Sequence, residues 1–182
     1  AAGFFLERFE WRDVAFELGG RQEWQEVEQL DPFEADLGLT VIRTPMRHAA
    51  GTLSAAARWT PRPDLTLDLV LGRAQRAPDV QELLSLGAHL ATRTYDIGDP
   101  RLSFETFDTI ELGVDLQRER FGLVARGYLN EVDDYIYQRN AGVVFDLSER
   151  FLRVNCVRLE ECLPVMLFQQ EDARLHGVEA EL

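Results

Sequence analysis

Hydrophobic positions along this chain recur with a period of two. Between Leu65 and Leu71 the alternation is strict, with Leu65, Leu67, Leu69 and Leu71 on one side of an extended chain and Thr66, Asp68, Val70 and Gly72 on the other. Ile110, Leu112, Val114 and Leu116 alternate in the same way with Glu111, Gly113, Asp115 and Gln117. After a short Arg118-Glu119-Arg120 turn, Leu123 and Leu129 lie on an apolar side that also holds Phe121, Ala125 and Gly127. Leu53 to Trp59, Val14 to Gly20 and Val178 to Leu182 repeat the pattern, and the helical period of 3.6 residues does not recur over a comparable length. Strands are therefore expected at about 3–11, 14–27, 48–60, 65–75, 105–117 and 120–138, with a further one at the end, about seven in all.

The spacing of these strands carries as much information as their faces. Arg12-Asp13, Pro61-Arg62-Pro63-Asp64 and the region of Glu119 are tight-turn sequences, whereas the segments at about 28–47, 76–104 and 139–166 are long and rich in Pro, Gly, Asp and Arg. In an up-and-down meander every second connection falls at the same end of the sheet, so the short turns gather at one end and the long loops at the other. Long strands with one apolar and one charged face, and loops of such unequal length, are the pattern of an outer-membrane β-barrel. Hydrocarbon offers no hydrogen-bond partners, so a sheet crosses it only when closed and fully paired. On this reading Leu65, Leu67, Leu69, Leu71, Ile110, Leu112, Val114, Leu116, Leu123 and Leu129 face lipid. Phe9, Trp11, Trp59 and Phe121, close to the short turns, stand where an interfacial aromatic girdle would be. A sandwich or propeller shows the same alternation but not the one-sided loops. The expected class is all-β: an antiparallel up-and-down transmembrane β-barrel fragment, one partial domain over residues 1–182.

Composition narrows the function. Of 182 residues 32 are acidic and 19 basic, a net charge of −13, which argues against nucleic acid as a partner because phosphate neutralisation needs an excess of basic surface. Every basic residue apart from three histidines is Arg, so lysine Schiff-base chemistry and a phosphate-loop lysine are both excluded. No apolar run approaches the roughly 18 residues of a membrane helix. The opening residues Ala1-Ala2-Gly3-Phe4-Phe5 lack the basic start and apolar centre of a signal peptide, so an excerpt from a longer chain is expected.

Within residues 75–182 the order of short motifs resembles one family. Gln75-Arg76-Ala77-Pro78 ends a strand, Glu82-Leu83-Leu84 and Gly87 follow in a loop, and Gly98-Asp99-Pro100-Arg101-Leu102 leads to a strand containing Glu111-Leu112-Gly113. Tyr128-Leu129-Asn130, Asp133-Asp134-Tyr135-Ile136-Tyr137 and the stretch Gln170 to Leu182 complete the set. Together they resemble the barrel of TonB-dependent outer-membrane receptors, and His89-Leu90-Ala91-Thr92 is similar to a branch that includes zinc and haem receptors. The resemblance implies a bacterial outer-membrane importer of a metal, a metal chelate such as a siderophore, or haem. It also implies a barrel of about 22 strands, an N-terminal plug, and a TonB energy-transducing complex as partner; none of the plug or its coupling segment is in this chain. A non-energised barrel, porin-like or adhesive, is the rival.

Candidate chemistry is sparse. Cys156 and Cys162 share the third long segment, where an oxidising envelope favours a disulfide, and two thiolates alone make a poor structural zinc site. His89, Asp96 and Asp99 in the second long segment pair an imidazole with carboxylates, a donor set suited to zinc or a similar metal; a solvated loop histidine is the ordinary alternative. Asp133 and Asp134 are adjacent on a strand and point to opposite faces, so they do not converge on one bond. No nucleophile elbow or zinc-protease motif is present, and neither an enzyme nor an intrinsic cofactor is expected.

Overall fold

The computed structural model describes residues 1–28, 33–34, 40–41, 45–156 and 158–182. Seven long strands run in chain order as an antiparallel meander: β1 (Ala2–Trp11), β2 (Val14–Val27), β5 (Met46–Arg62), β6 (Leu65–Arg76), β9 (Glu105–Gln117), β10 (Gly122–Asp146) and β12 (Cys162–Glu181). Two-residue strands β3 (Phe33–Glu34) and β4 (Thr40–Val41) pair with each other inside the first long segment. The rest of that segment, expected as a loop over about 28–47, lies largely outside the described residues. Short strands β7 (Leu86–His89), β8 (Thr94–Ile97) and β11 (Phe151–Arg153), the helical turn α1 (Val80–Leu84) and a 3-10 turn at Leu159–Glu161 arise from the other two long segments.

Two expectations are corrected. Among the described residues the sheet holds ten strands rather than about seven, because β7, β8 and β11 join the long ones. The order is not a simple up-and-down meander either, since β8 pairs in parallel with β12 through Val165–Tyr95, Met166–Asp96 and Leu167–Ile97. That pairing arises because the chain between β6 and β9 folds back beside a strand that comes much later, giving segment 76–104 ladder bonds that a solvated loop would lack.

Register fixes the two faces. Leu65, Leu67, Leu69 and Leu71 stand opposite Leu116, Val114, Leu112 and Ile110, which in turn stand opposite Leu123, Ala125, Gly127 and Leu129. The same row continues through Ala55, Ala57 and Trp59 to Leu18, Phe16 and Val14. On β1, Phe5, Phe9 and Trp11 extend it, while Glu7, opposite Leu18, interrupts it. Four alternate residues span ~20 Å of strand at about 3.4 Å per residue, close to the roughly 25 Å apolar height of a membrane barrel. At the end of this band away from the tight turns, Arg73, Asp108, Glu131 and Arg174 form a charged row across β6, β9, β10 and β12. Arg73 lies 3.7 Å from Asp108, and Arg174 contacts Glu131.

Among the described residues nothing covers the apolar band: Leu53 is 62% exposed, Leu112 59% and Val178 81%. The buried clusters lie instead among the long segments. Val27, Leu83, Leu102 and Ile136 form one cluster, flanked by Met46 and Phe168; Tyr95, Phe145, Leu163 and Val165 form the other. The first sits against the charged face, since Val27 and Met46 share the parity of Glu17 and Ala56 along β2 and β5. Segment 77–104 thus folds over the outer end of the charged face.

Candidate functional site

The charged face is organised by cross-strand pairs. Arg58 on β5 donates to Asp68 on β6 at 2.7 Å, and Arg126 on β10 places its guanidinium 3.7 Å from the other oxygen of the same carboxylate. Arg126 reaches past β9 because Gly113, its direct neighbour in the ladder, has no side chain; a Cβ there would lie 2.9 Å from the guanidinium. The Arg126 Nη1 also donates to the carbonyls of Val114 and Ala125. Glu17 takes Arg8 of β1, and Glu179 stands in register with Arg126 from β12. Each such half-exposed pair contributes little alone, about 0–1 kcal/mol. As a set they give a polar wall that can hydrogen-bond another polar body.

Segment 77–104 is held to that wall by Arg76. Its Nε contacts Glu105, and its two terminal nitrogens donate to both oxygens of Glu82 at 2.9 Å. The paired carboxylates hold the Arg76 guanidinium above its ordinary range, chiefly through the hydrogen bonds to Glu105 and then Glu82. Glu105 is 1% exposed, and its second oxygen accepts the Ile136 N–H at 2.6 Å, just beyond the last β9–β10 pair, Asp133–Thr106. Asp79 caps α1, accepting from the Gln81 and Glu82 N–H groups, while Glu82 accepts the Asp79 N–H at 2.8 Å, a complete capping box. The return arm then packs on the helical turn: Gly98 N–H donates to Ser85 at 2.7 Å and Asp99 N–H to Glu82 at 2.9 Å.

Of the candidate ligands, the structure brings two together. His89 ends β7, with its Nδ1 3.0 Å from the Thr92 hydroxyl and 3.4 Å from Asp96 Oδ2. Asp96, in the middle of β8, is 8% exposed, and its Oδ1 has no hydrogen-bond partner among the described residues. Asp99 is engaged elsewhere, forking to Arg101 at 2.7 and 3.0 Å. Among the described residues no group of three or more His, Cys, Asp or Glu side chains is placed to hold a metal. Neither of the other histidines joins the pair: His48 lies edge-on to Phe104, and His176 is opposite Leu129. Cys156 and Cys162 are disulfide-bonded, closing the end of the third long segment. Tyr95 stacks on Phe145 with ring centroids 4.1 Å apart, so the second and third segments share one core.

The Arg76–Glu82–Glu105 set was not singled out as a site in the sequence. Its local half was readable as the capping signature Asp79-x-x-Glu82 directly after Arg-Ala-Pro. Its distant half, Glu105, is identified only by the β6–β9 register.

The comparisons agree with this architecture. All of residues 1–182 match the model of the TonB dependent receptor-like β-barrel family, and the chain belongs to that family. It is similar in fold to the solved structure of the copper transporter OprC, with 17% identity, a TM-score of 0.69, and 98% of this chain aligned to 25% of that one. A Serratia marcescens haemophore receptor, HasR, solved with its haemophore HasA and haem, gives 17% identity and a TM-score of 0.57, covering 98% of this chain and 30% of that one. The chain thus spans between a quarter and a third of these relatives. Its family makes it a receptor-like barrel segment of the outer membrane.

Proposed function

We propose that this chain is part of the wall of an energised outer-membrane transporter that takes up a metal ion, a metal chelate or haem, with segment 77–104 contacting the cargo. The observation that carries the cargo contact is the His89–Asp96 pair, an imidazole beside a buried carboxylate with one oxygen unpaired. Two protein donors leave most positions of a divalent ion open, which suits a cargo that brings further donors of its own. Asp99 serves the same segment as the anchor of Arg101. The two relatives, a copper transporter and a haemophore receptor, are consistent with this cargo range.

The apolar band is read as the lipid contact, and the charged face as the surface turned to the lumen and to the receptor's own plug domain. Energy would arrive through that plug from the TonB complex. The deciding experiment is uptake by the full receptor carrying His89→Ala, Asp96→Asn or Asp99→Asn, with zinc, haem and ferric chelates offered separately. Loss of uptake for one cargo class with His89→Ala or Asp96→Asn supports the reading; wild-type uptake of all three by every variant removes it. A parent gene lacking a plug-sized domain ahead of Ala1 would leave a passive barrel instead.

A further inference from the structure

Three nitrogens of one guanidinium join a strand of the wall to a loop helix. The wall partner, Glu105, is buried and completes the β9–β10 ladder through Ile136, so it is fixed from two directions. The loop partner, Glu82, is fixed by its own capping role at the start of α1. Between them Arg76 is the last residue of β6, directly opposite Glu105. A guanidinium suits this position because its planar fork can serve a bidentate carboxylate and a third acceptor at once, which an ammonium cannot do with the same geometry.

The helix in turn sets the position of the residues that follow. Gly98 and Asp99 bond back to the carbonyls of Ser85 and Glu82, and a Cβ on Gly98 would lie 2.7–2.9 Å from the backbone of Glu82, Leu83 and Leu84. Strand β8 ends one residue before Gly98 and pairs with β7 from Leu86–Ile97 to His89–Thr94. A continuous path of short contacts therefore runs from Glu105 through Arg76, Glu82 and Gly98 to Asp96 and His89. Below the helical turn, Leu83 is fully buried with Val27 and Ile136, so the latch and the apolar cluster hold the same element.

We infer that Arg76 is a positioning residue for cargo recognition: the Glu105–Arg76–Glu82 latch locks segment 77–104 onto the barrel wall and sets the placement of His89 and Asp96. The inference rests on the reading that this segment contacts cargo. Released from the latch, the segment keeps its donors but loses their fixed placement, so the ordering cost is transferred to the binding step and affinity falls.

The test uses the full receptor in outer-membrane vesicles. Glu82→Gln is the first variant, because Gln can retain the capping contact while giving up the charged fork, and Glu105 keeps Arg76. Arg76→Gln paired with Glu105→Gln is the second, which removes the buried Glu105 carboxylate together with its partner. Amide hydrogen exchange over residues 80–99 is expected to accelerate about tenfold in either, given the strength of hydrogen bonds to charged groups, with exchange over 109–116 unchanged. With zinc(II) and haem as separate probes, the half-saturating concentration of the cargo it takes should rise severalfold at unchanged capacity, a split that a misfolded barrel would not produce. Unchanged exchange over 80–99 in both variants overturns the latch whatever binding does. Faster exchange with unchanged affinity overturns the positioning role if His89→Ala weakens binding, and removes the recognition reading as well if His89→Ala is silent.

Discussion

Arg126 of β10 lies across Gly113 of β9 and meets Asp68 of β6, joining three strands through one side chain. The Glu111-Leu112-Gly113 motif thus acquires a physical role: the glycine is a trough for a neighbouring guanidinium. Gly113→Ala should displace Arg126 from Asp68 at a cost of about 1 kcal/mol, in the range of exposed ion pairs. A double-mutant cycle checks the cause. Arg126→Ala should cost measurably less in the Gly113→Ala background than in the parent protein, whereas strict additivity would separate the two residues.

Gly98 makes a different kind of close approach, to backbone that cannot swing aside. Gly98→Ala should destabilise segment 80–99 by about 1–3 kcal/mol, as overpacking does. Hydrogen exchange of the Leu83, Gly98 and Asp99 amides reads this directly, and the exchange of β9 amides should not change.

Cys156 and Cys162 should resist thiol labelling in receptor taken from the cell envelope without reductant, and should both label after reduction. Their bond closes only the end of the third segment. Reduction should therefore loosen the region 147–161 and leave Tyr95 stacked on Phe145, a separation that exchange before and after reduction resolves.

The turn after β10 should open in acid. Asp146 is held below the usual carboxylate range, first by the Ser148 hydroxyl at 2.6 Å, then by the N–H groups of Glu149 and Ser148, with Arg153 at 3.2 Å. Because the folded form binds its proton less readily than an unfolded aspartate of pKa about 3.9, its stabilisation is fully present above that value. It is lost as pH falls from about 4 through the lower folded value. Exchange at Ser148, Glu149 and Arg150 should accelerate over that interval, and Asp146→Asn should abolish the pH dependence.

Residues 65–71 and 110–116 were legible in the sequence because no second layer of described residues packs on their apolar side to blur the alternation. The outer part of β12 was not. Cys162 to Phe168 is apolar on both faces, since Leu163 and Val165 enter one buried cluster and Phe168 flanks the other, and the period of two disappears. A one-residue bulge at Val132–Tyr135 shifts the parity of β10 and a two-residue insertion at Asn140–Val144 interrupts its ladder, with Asp134 and Gly142 at positive φ, and together they conceal its full 25 residues. Strands β7 and β8 are four residues each and pair with each other, and β8 joins the sheet through a parallel pairing with β12, about 70 residues away in sequence. At the site, the chemistry of His89 and Asp96 was readable as residue types, and their pairing as a β7–β8 neighbour relation was not. Asp99 looked equivalent to Asp96 until its fork to Arg101 separated them.

The proposed function sets the leucine face of this wall against lipid and the opposite face away from it. Arginine substituted at Leu69 or Leu112, and in parallel at Val70 or Glu111 on the other face, sets the two faces against each other in one denaturant titration of the full receptor folded into lipid vesicles. Leu69→Arg and Leu112→Arg are each expected to cost about 2–4 kcal/mol near the midplane, and Val70→Arg and Glu111→Arg clearly less. Near-neutral values at both leucines, or equal losses on the two faces, would contradict that assignment of the faces.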